Sequence, residues 1–339
     1  MSKKQVVVAV VGATGAVGEV LLRVLEERQF PVSQLLPLAS TRSAGTTITF
    51  AGQEKTVEVA CPEAFDGVDL VFFAATGGLS RELAPEAVKR GAVVIDKSST
   101  WRMDDEVPLV VPEINADALE KHRGIIANPN CTTTGLVMAV EPIRRVAGLK
   151  SLVVTTLQAV SGSGTPGIDE LDAQVKAVQA GKPVPAPEVF AHQIAYNPVP
   201  VCGTFRDDAY TDEERKLLDE TRKIMALPDV AVSMTCVRVP VPVGHSATVL
   251  VETERPISPE AAREAIDAFP GTRVVDDPAT SQAPTAADVE GTDEVLVGRI
   301  RRDLSSDRLW LWQVSDNLRK GAATNAVQIA EALLERGKL

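Results

Sequence analysis

Residues 5–30 read QVVVAVVGATGAVGEVLLRVLEERQF. The run from Val6 to Val11, closed by Gly12, has the pattern of a strand buried on both faces of a parallel sheet. Val17, Leu21, Val24 and Leu25 then recur at helical spacing. Between the two stand Gly12, Gly15 and Gly18, a G-x-x-G-x-x-G variant of the dinucleotide fingerprint. Glycines there permit a tight turn and let a pyrophosphate approach the N–H groups that open the helix. A ligand-free βα turn would carry the same letters. The position directly after the first strand favours cofactor binding.

Working outward, LLPLAS (35–40), VDLVFFAAT (68–76), AVVIDKSS (92–99) and GIIANPN (124–130) are further apolar strands, with a helix predicted over 81–91. Such alternation predicts a doubly wound Rossmann-like α/β domain. Beyond about residue 150 the strand-like runs lengthen, with helices near 167–180, 212–226 and 258–269. This predicts an α+β domain on a mostly antiparallel sheet. The Pro/Ala-rich stretch 276–291 reads as a long surface loop. The amphipathic end, RKGAATNAVQIAEALLERG, is expected to pack back on the first domain. The expected domains are 1–128 plus 318–339 for cofactor binding, and 129–317 for catalysis and dimerisation. The second strand ends ASTRSAG, without the acid that holds an NAD ribose. Ser40, Thr41, Arg42 and Ser43 suit a 2′-phosphate instead, which points to NADP(H), although a plain polar loop would read the same.

Composition narrows the classes. The 339 residues suggest two domains, and 45% hydrophobic with 24% charged residues is ordinary for a globular chain. A net charge of −11 argues against a nucleic-acid partner. No apolar run reaches the roughly 20 residues of a membrane span, and the opening MSKKQVVVAVVG reads as a first strand rather than a signal peptide. Cys61, Cys131, Cys202 and Cys236 are dispersed without C-x-x-C, which suits neither zinc nor a disulfide scaffold. No metal is expected, and a reducing cytoplasm is.

The stretch NPNCTTTGLVMAV (128–140) carries the chemistry. Asn128, Pro129 and Asn130 form a turn, and Leu136, Val137, Val140 and Ile143 share one helical face. Cys131 therefore falls at or near a helix N-terminus, where free N–H groups and the macrodipole favour a thiolate and can hold an oxyanion. A buried structural cysteine is the alternative, and it is the preferred reading for the other three. Three histidines occur: His122 at an expected exposed helix end, His192 in a loop, and His245 opening a strand after Pro-Val-Gly. A base titrating near neutrality is most easily one of them. His245 could equally be a capping or core histidine. Thr211 and Glu214 form a capping box, which makes Glu213 and Lys216 neighbours at i,i+3 and an ordinary surface pair by spacing alone.

GATGAVG, SSTWR, NPNCTTT, LQAVSGSG, VRVPVPVGHS and VSDNLRKGAA occur in this order across nearly the whole chain. Together they resemble the aspartate-β-semialdehyde dehydrogenases of the bacterial type. The resemblance implies attack of a thiolate on β-aspartyl phosphate, loss of phosphate to leave a thioester, and hydride delivery from NADPH that releases aspartate semialdehyde. It implies Cys131 as nucleophile, His245 as acid/base and Gln158 orienting the substrate. Arg102 and Lys216 would hold phosphate, with Asn130 nearby; Arg238 would clamp the substrate carboxylate and Glu213 meet its amino group. Gly12, Thr14, Gly15, Ala16, Val17, Ser161, Gly162 and Asn317 would contact the cofactor. It also implies a homodimer through the second domain, with a tetramer as the alternative. N-acetyl-γ-glutamyl-phosphate reductase and glyceraldehyde-3-phosphate dehydrogenase share the chemistry or the plan, but fit NPNCTTT and GHS less well. A catalytically silent dimeric homologue is the competing class, and the joint presence of Cys131, Gln158, Arg238 and His245 argues against it.

Overall fold

The computed structural model describes residues 5–339; the first four residues of the N-terminal reading lie outside that range. The chain forms two compact units, Met1–Asn130 with Ala322–Leu339, and Cys131–Gly321.

The first unit opens with β1 (Val6–Val11), α1 (Ala16–Glu27) and β2 (Val32–Ala39). A small antiparallel hairpin, β3 (Thr47–Phe50) and β4 (Gln53–Thr56), leads to β5 (Glu58–Val59). Then come β6 (Leu70–Phe73), α2 (Gly77–Lys89), β7 (Val93–Asp96), α3 (Pro112–Asn115) and β8 (Ile125–Ala127). Six strands form one parallel sheet in the order β5-β2-β1-β6-β7-β8. Chain order thus reverses at β1, with β2 on one side and β6 on the other, which is the topological switch point where such sheets bind ligands. The four residues of β6 are all buried, as expected for a strand covered on both faces. Helix α2 starts four residues before its predicted onset, because a Gly-Gly pair masks its first turn.

The second unit starts with α4 (Cys131–Ala147), then β9 (Ser151–Gln158), α5 (Thr165–Gln179), α6 (Asp212–Met225) and β10 (Ala231–Arg238). It continues with β11 (His245–Glu252), α7 (Pro259–Asp267), β12 (Thr272–Val274), α8 (Ala286–Val289), β13 (Val295–Arg302) and β14 (Leu309–Ser315). The sheet order is β10-β9-β11-β14-β13-β12, with antiparallel pairs in the middle and parallel pairs at both edges. Thirteen residues of α4 are buried, so it serves as the core helix of this unit. The stretch read as a loop over 276–291 carries α8 and a 3₁₀ turn at Pro278–Thr280. Capping by Thr285–Asp288 and by Asp277 supplies order that the Pro/Ala composition hid. Helix α9 (Thr324–Glu335) then rejoins the first unit, where Val327, Ile329, Ala330 and Leu333 enter a core with Val8, Leu21 and Leu25. Arg28, the C-cap of α1, and Glu331 on α9 add an ion pair at 2.6 Å. Among the described residues no helix is long and apolar enough to cross a membrane.

Candidate active site

In the first unit the glycine turn sits at the switch point. Gly12 adopts φ +89, and a Cβ there would lie 2.5 Å from the carbonyl oxygen of Ala74, just past β6. A Cβ on Gly18 would lie 2.1 Å from the Gly12 oxygen. Both positions therefore need glycine for close backbone approach. Gly15 is the N-cap of α1 and supplies no side-chain cap, which suits a helix N-terminus that receives an anion. Thr14, Ala16 and Val17 belong to this turn. Ser40, Thr41 and Arg42 are exposed and Ser43 half-buried in the turn after β2, the strand that pairs with β1. This geometry fits a dinucleotide, and no carboxylate stands at the end of β2 to repel a 2′-phosphate.

Arg102 lies buried at the carboxyl end of the same sheet. Its Nε donates to the Asn128 oxygen at 3.0 Å and Nη2 to the Lys97 oxygen at 2.5 Å. Buried Asp96 supports this corner: it accepts from the Ser98 hydroxyl at 2.5 Å, and Thr100 N–H donates to that hydroxyl at 3.2 Å. Burial pushes the Asp96 carboxyl up, against the pull of Ser98 and Arg102. Asn128 accepts from Asn325 Nδ2 at 2.7 Å, which fixes the turn that ends in buried Asn130.

In the second unit Cys131 is the first residue of α4, as the Asn-Pro-Asn turn predicted. Its Sγ lies 3.3 Å from His245 Nε2. The His245 ring is fully buried at the start of β11, and its Nδ1 accepts from the Ala159 N–H at 3.0 Å. A backbone N–H can only donate, so the neutral ring carries its proton on Nε2, facing the sulfur. Burial, helped by the Arg238 charge, holds the His245 pKa well below its ordinary value. This corrects the expectation of a group titrating near neutrality. Sequence does not show that β11 opens inside the core. Of the other histidines, His122 is half-buried rather than at an exposed helix end, and burial lowers its pKa; His192 is exposed.

Gln158 ends β9 and Arg238 ends β10, paired in parallel register. Gln158 accepts from Thr156 at 3.1 Å and donates to Glu213 at 3.1 Å. Glu213 in turn pairs with Lys216 at 3.2 Å, while Asp212 pairs with it at 2.7 Å. Burial works against the Lys216 charge, but Glu213 and Asp212 outweigh it and raise its pKa. The surface pair read from spacing is thus half of a chain that runs to Gln158. The Thr211–Glu214 capping box forms, and Glu214 also accepts from the Cys236 N–H at 3.1 Å. Arg238 is buried, with Nη1 donating to the Ala159 oxygen at 2.6 Å and Nε lacking a hydrogen-bond partner. A Cβ on Gly162 would lie 2.8 Å from Arg238 Nη1 and 3.3 Å from His245 Nε2, so glycine keeps room above both groups. Asn317 donates to Ser161 Oγ at 2.9 Å and accepts from Gly244 N–H at 2.9 Å.

Two contributors escaped the sequence reading. A Cβ on Gly321 would lie 2.9 Å from Cys131 Cβ, so the small residue in RKGAA makes room for the thiol. Buried Asp316 shapes that turn by accepting from the N–H groups of Leu318, Arg319 and Gly291. Cys202 and Cys236 are buried; burial pushes the Cys202 thiol up to about 12 and raises Cys236 as well, which leaves both as poor nucleophiles. No group of His, Cys, Asp and Glu among the described residues has metal-binding geometry.

A glycine-cradle α/β unit followed by a unit with a mixed sheet that begins at a thiol beside a histidine is the architecture of a two-domain dehydrogenase. Comparison with known families agrees. Residues 7–122 match the semialdehyde dehydrogenase NAD binding domain, and residues 140–320 match the semialdehyde dehydrogenase dimerisation domain. The chain is 52% identical to aspartate-semialdehyde dehydrogenase of Aquifex aeolicus, over 97% of its length and 98% of that protein. It superimposes with TM-score 0.95 on a crystal structure of aspartate semialdehyde dehydrogenase II from Vibrio cholerae complexed with ASA, at 46% identity over 98% and 99% of the two chains. The Candida albicans aspartate semialdehyde dehydrogenase with NADP matches at TM-score 0.78 and 25% identity, over 99% and 100%. The chain belongs to the aspartate-semialdehyde dehydrogenase family and is an oxidoreductase.

Proposed function

We propose that the chain catalyses the reversible, NADPH-dependent conversion of L-aspartyl 4-phosphate to L-aspartate 4-semialdehyde through a thioester on Cys131. The reaction would serve synthesis of lysine, threonine, methionine and isoleucine. The observation that carries this reading is the 3.3 Å approach of Cys131 Sγ to the Nε2–H of a buried, neutral His245 at the mouth of α4. Helix N–H groups and Nε2–H both stabilise negative charge on sulfur. The sulfur attacks the acyl carbon, the C–S bond forms, and the C–O bond to phosphate breaks with its electron pair leaving on phosphate. The α4 N–H groups hold the oxygen that gains charge. NADPH, when bound, supplies the hydride. The Nε2–H of His245 donates a hydrogen bond to the carbonyl oxygen as charge develops and releases it when the carbonyl reforms with thiolate departure.

Arg238 is proposed to clamp the substrate carboxylate through its unpartnered Nε edge, since a guanidinium fork matches a carboxylate in two hydrogen bonds. Glu213 would meet the amino group and Gln158 orient the acyl group. Arg102, Lys216 and Asn130 would bind phosphate. Gly12, Thr14, Gly15, Ala16, Val17 and Ser40 to Ser43 would hold the NADP dinucleotide, and Ser161, Gly162 and Asn317 are proposed to contact it as well. The homodimer would form through the second unit. One face of its sheet bears exposed Val153, Ser233 and Thr235, between buried neighbours that point the other way.

The test is a substrate panel in the phosphorylating direction. Aspartate semialdehyde with phosphate and NADP should turn over far faster than N-acetylglutamate semialdehyde, and NADP better than NAD. Preference for the longer aldehyde would replace this reading with an N-acetyl-γ-glutamyl-phosphate reductase. No turnover with either would favour the silent homologue.

A further inference from the structure

Residues 180–211, between α5 and α6, contain no regular helix or strand and are mostly exposed, yet they are pinned at three places. Glu170 on α5 accepts from the N–H groups of Glu188 and Val189 at 2.8 and 2.6 Å. Fully buried Gln174, one turn later, accepts from those of Ile194 and Ala195 at 2.9 and 3.1 Å. Val199 then exchanges both backbone hydrogen bonds with Arg238 at 2.8 Å each. Between the first two anchors, Phe190 packs on a small apolar cluster of Val160, Leu171, Ile194, Ala195 and Val199. Its ring lies under the Arg238 guanidinium, with Cζ 5.7 Å from the ring centroid. A Cβ on Gly167 would come within 3.1 Å of that ring, so α5 offers a bare backbone where the aromatic sits.

The strap therefore touches Arg238 twice, at its backbone through Val199 and at its side chain through Phe190. Nη1 is engaged by the Ala159 oxygen, and the Phe190 ring lies within cation–π distance of the guanidinium carbon. What remains unpaired is Nε, which is buried and has no hydrogen-bond partner. We propose that Phe190 is a positioning residue for Arg238: its ring face, carried on a strap that Glu170 and Gln174 pin to α5, holds the guanidinium flat with the Nε edge presented to the substrate carboxylate. This rests on the reading of Arg238 as the carboxylate clamp. It adds a determinant of affinity for the carboxylate-bearing aldehyde that does not itself bind the carboxylate.

The experiment measures Michaelis constants for aspartate semialdehyde and for phosphate, with kcat, in the wild type, Phe190→Leu, Phe190→Tyr, Glu170→Ala and Arg238→Lys. Leucine keeps the apolar packing and removes the π face. Phe190→Leu should raise the constant for the aldehyde about 3- to 30-fold, with kcat and the phosphate constant within about twofold, and Phe190→Tyr should restore the wild-type value. Glu170→Ala leaves the ring intact and loosens the strap, so it should show the same selective rise, smaller in size. An unchanged aldehyde constant in Phe190→Leu, or equal rises for aldehyde and phosphate, overturns the proposal. Arg238→Lys separates the two levels. If it raises the aldehyde constant while Phe190→Leu does not, only the role of Phe190 fails; if it too leaves the constant unchanged, the carboxylate clamp itself falls.

Discussion

At the residue scale the site depends on one imidazole held neutral. The unfolded chain's histidine binds a proton near pH 6.5, whereas in the fold burial and the Arg238 charge hold the His245 pKa well below that. Below pH 6.5 the unfolded state therefore binds more protons at this position, and stability falls as pH falls; above it the group contributes nothing. Between pH 7.5 and 5.5 this single residue should cost about 1.4 kcal/mol. Urea unfolding of wild type and His245→Gln at both pH values should show the wild type losing about that much more than the variant. Identical losses would mean the ring is protonated in the fold, in conflict with the Ala159 N–H that points at Nδ1. Cys131 and His245 stood out in the sequence, because so few histidines and such an unusual cysteine context exist, whereas Gln158, Arg238, Glu213 and Lys216 rested on the family resemblance. The protonation state was not legible, since it depends on what β11 packs against.

At the scale of elements, the first strand and its turn were readable because a strand covered on both faces has no polar positions to confuse its period, as β1 and β6 show. Strand ends were less so. Gln158, Arg238 and His245 are brought together by the pairing of β9 with β10 and β11, and no local pattern announces a long-range register. The strap over 180–211 was unreadable for another reason: its pins are backbone N–H groups held by Glu170 and Gln174, which look like ordinary helix surface. The turn at Gly12 gives the clearest test at this scale. Gly12→Ala places a Cβ 2.5 Å from the Ala74 oxygen in a left-handed backbone. The backbone term alone costs about 1–2 kcal/mol. The variant should melt lower and bind NADPH more weakly by fluorescence titration, while labelling of Cys131 by an alkylating reagent proceeds at the wild-type rate. Wild-type NADPH affinity would remove the glycine turn from the cofactor site.

For the whole molecule, the net charge of −11 argues against a nucleic-acid partner and no apolar run suggests a membrane span, but neither describes assembly. The face of the second unit that carries Val153, Ser233 and Thr235 is exposed and uncharged at these three positions. Val153 is 40% exposed there, paired with Ser233 on one side and with Leu250 on the other. A buried, unpaired charge in such an interface is strongly unfavourable. Val153→Arg should shift light-scattering mass from dimer toward monomer at micromolar concentration, with the circular dichroism spectrum unchanged. An unaltered dimer would place the interface elsewhere.

The central claim, that sulfur of Cys131 carries the acyl group, is tested most directly by trapping it. The enzyme is mixed with aspartyl phosphate in the absence of NADPH, quenched in acid, digested and analysed by mass spectrometry. The account predicts one aspartyl adduct per chain, on the peptide that contains Cys131, released by hydroxylamine and absent in Cys131→Ala. An adduct on Cys61, Cys202 or Cys236, or undiminished turnover by Cys131→Ala, would contradict it.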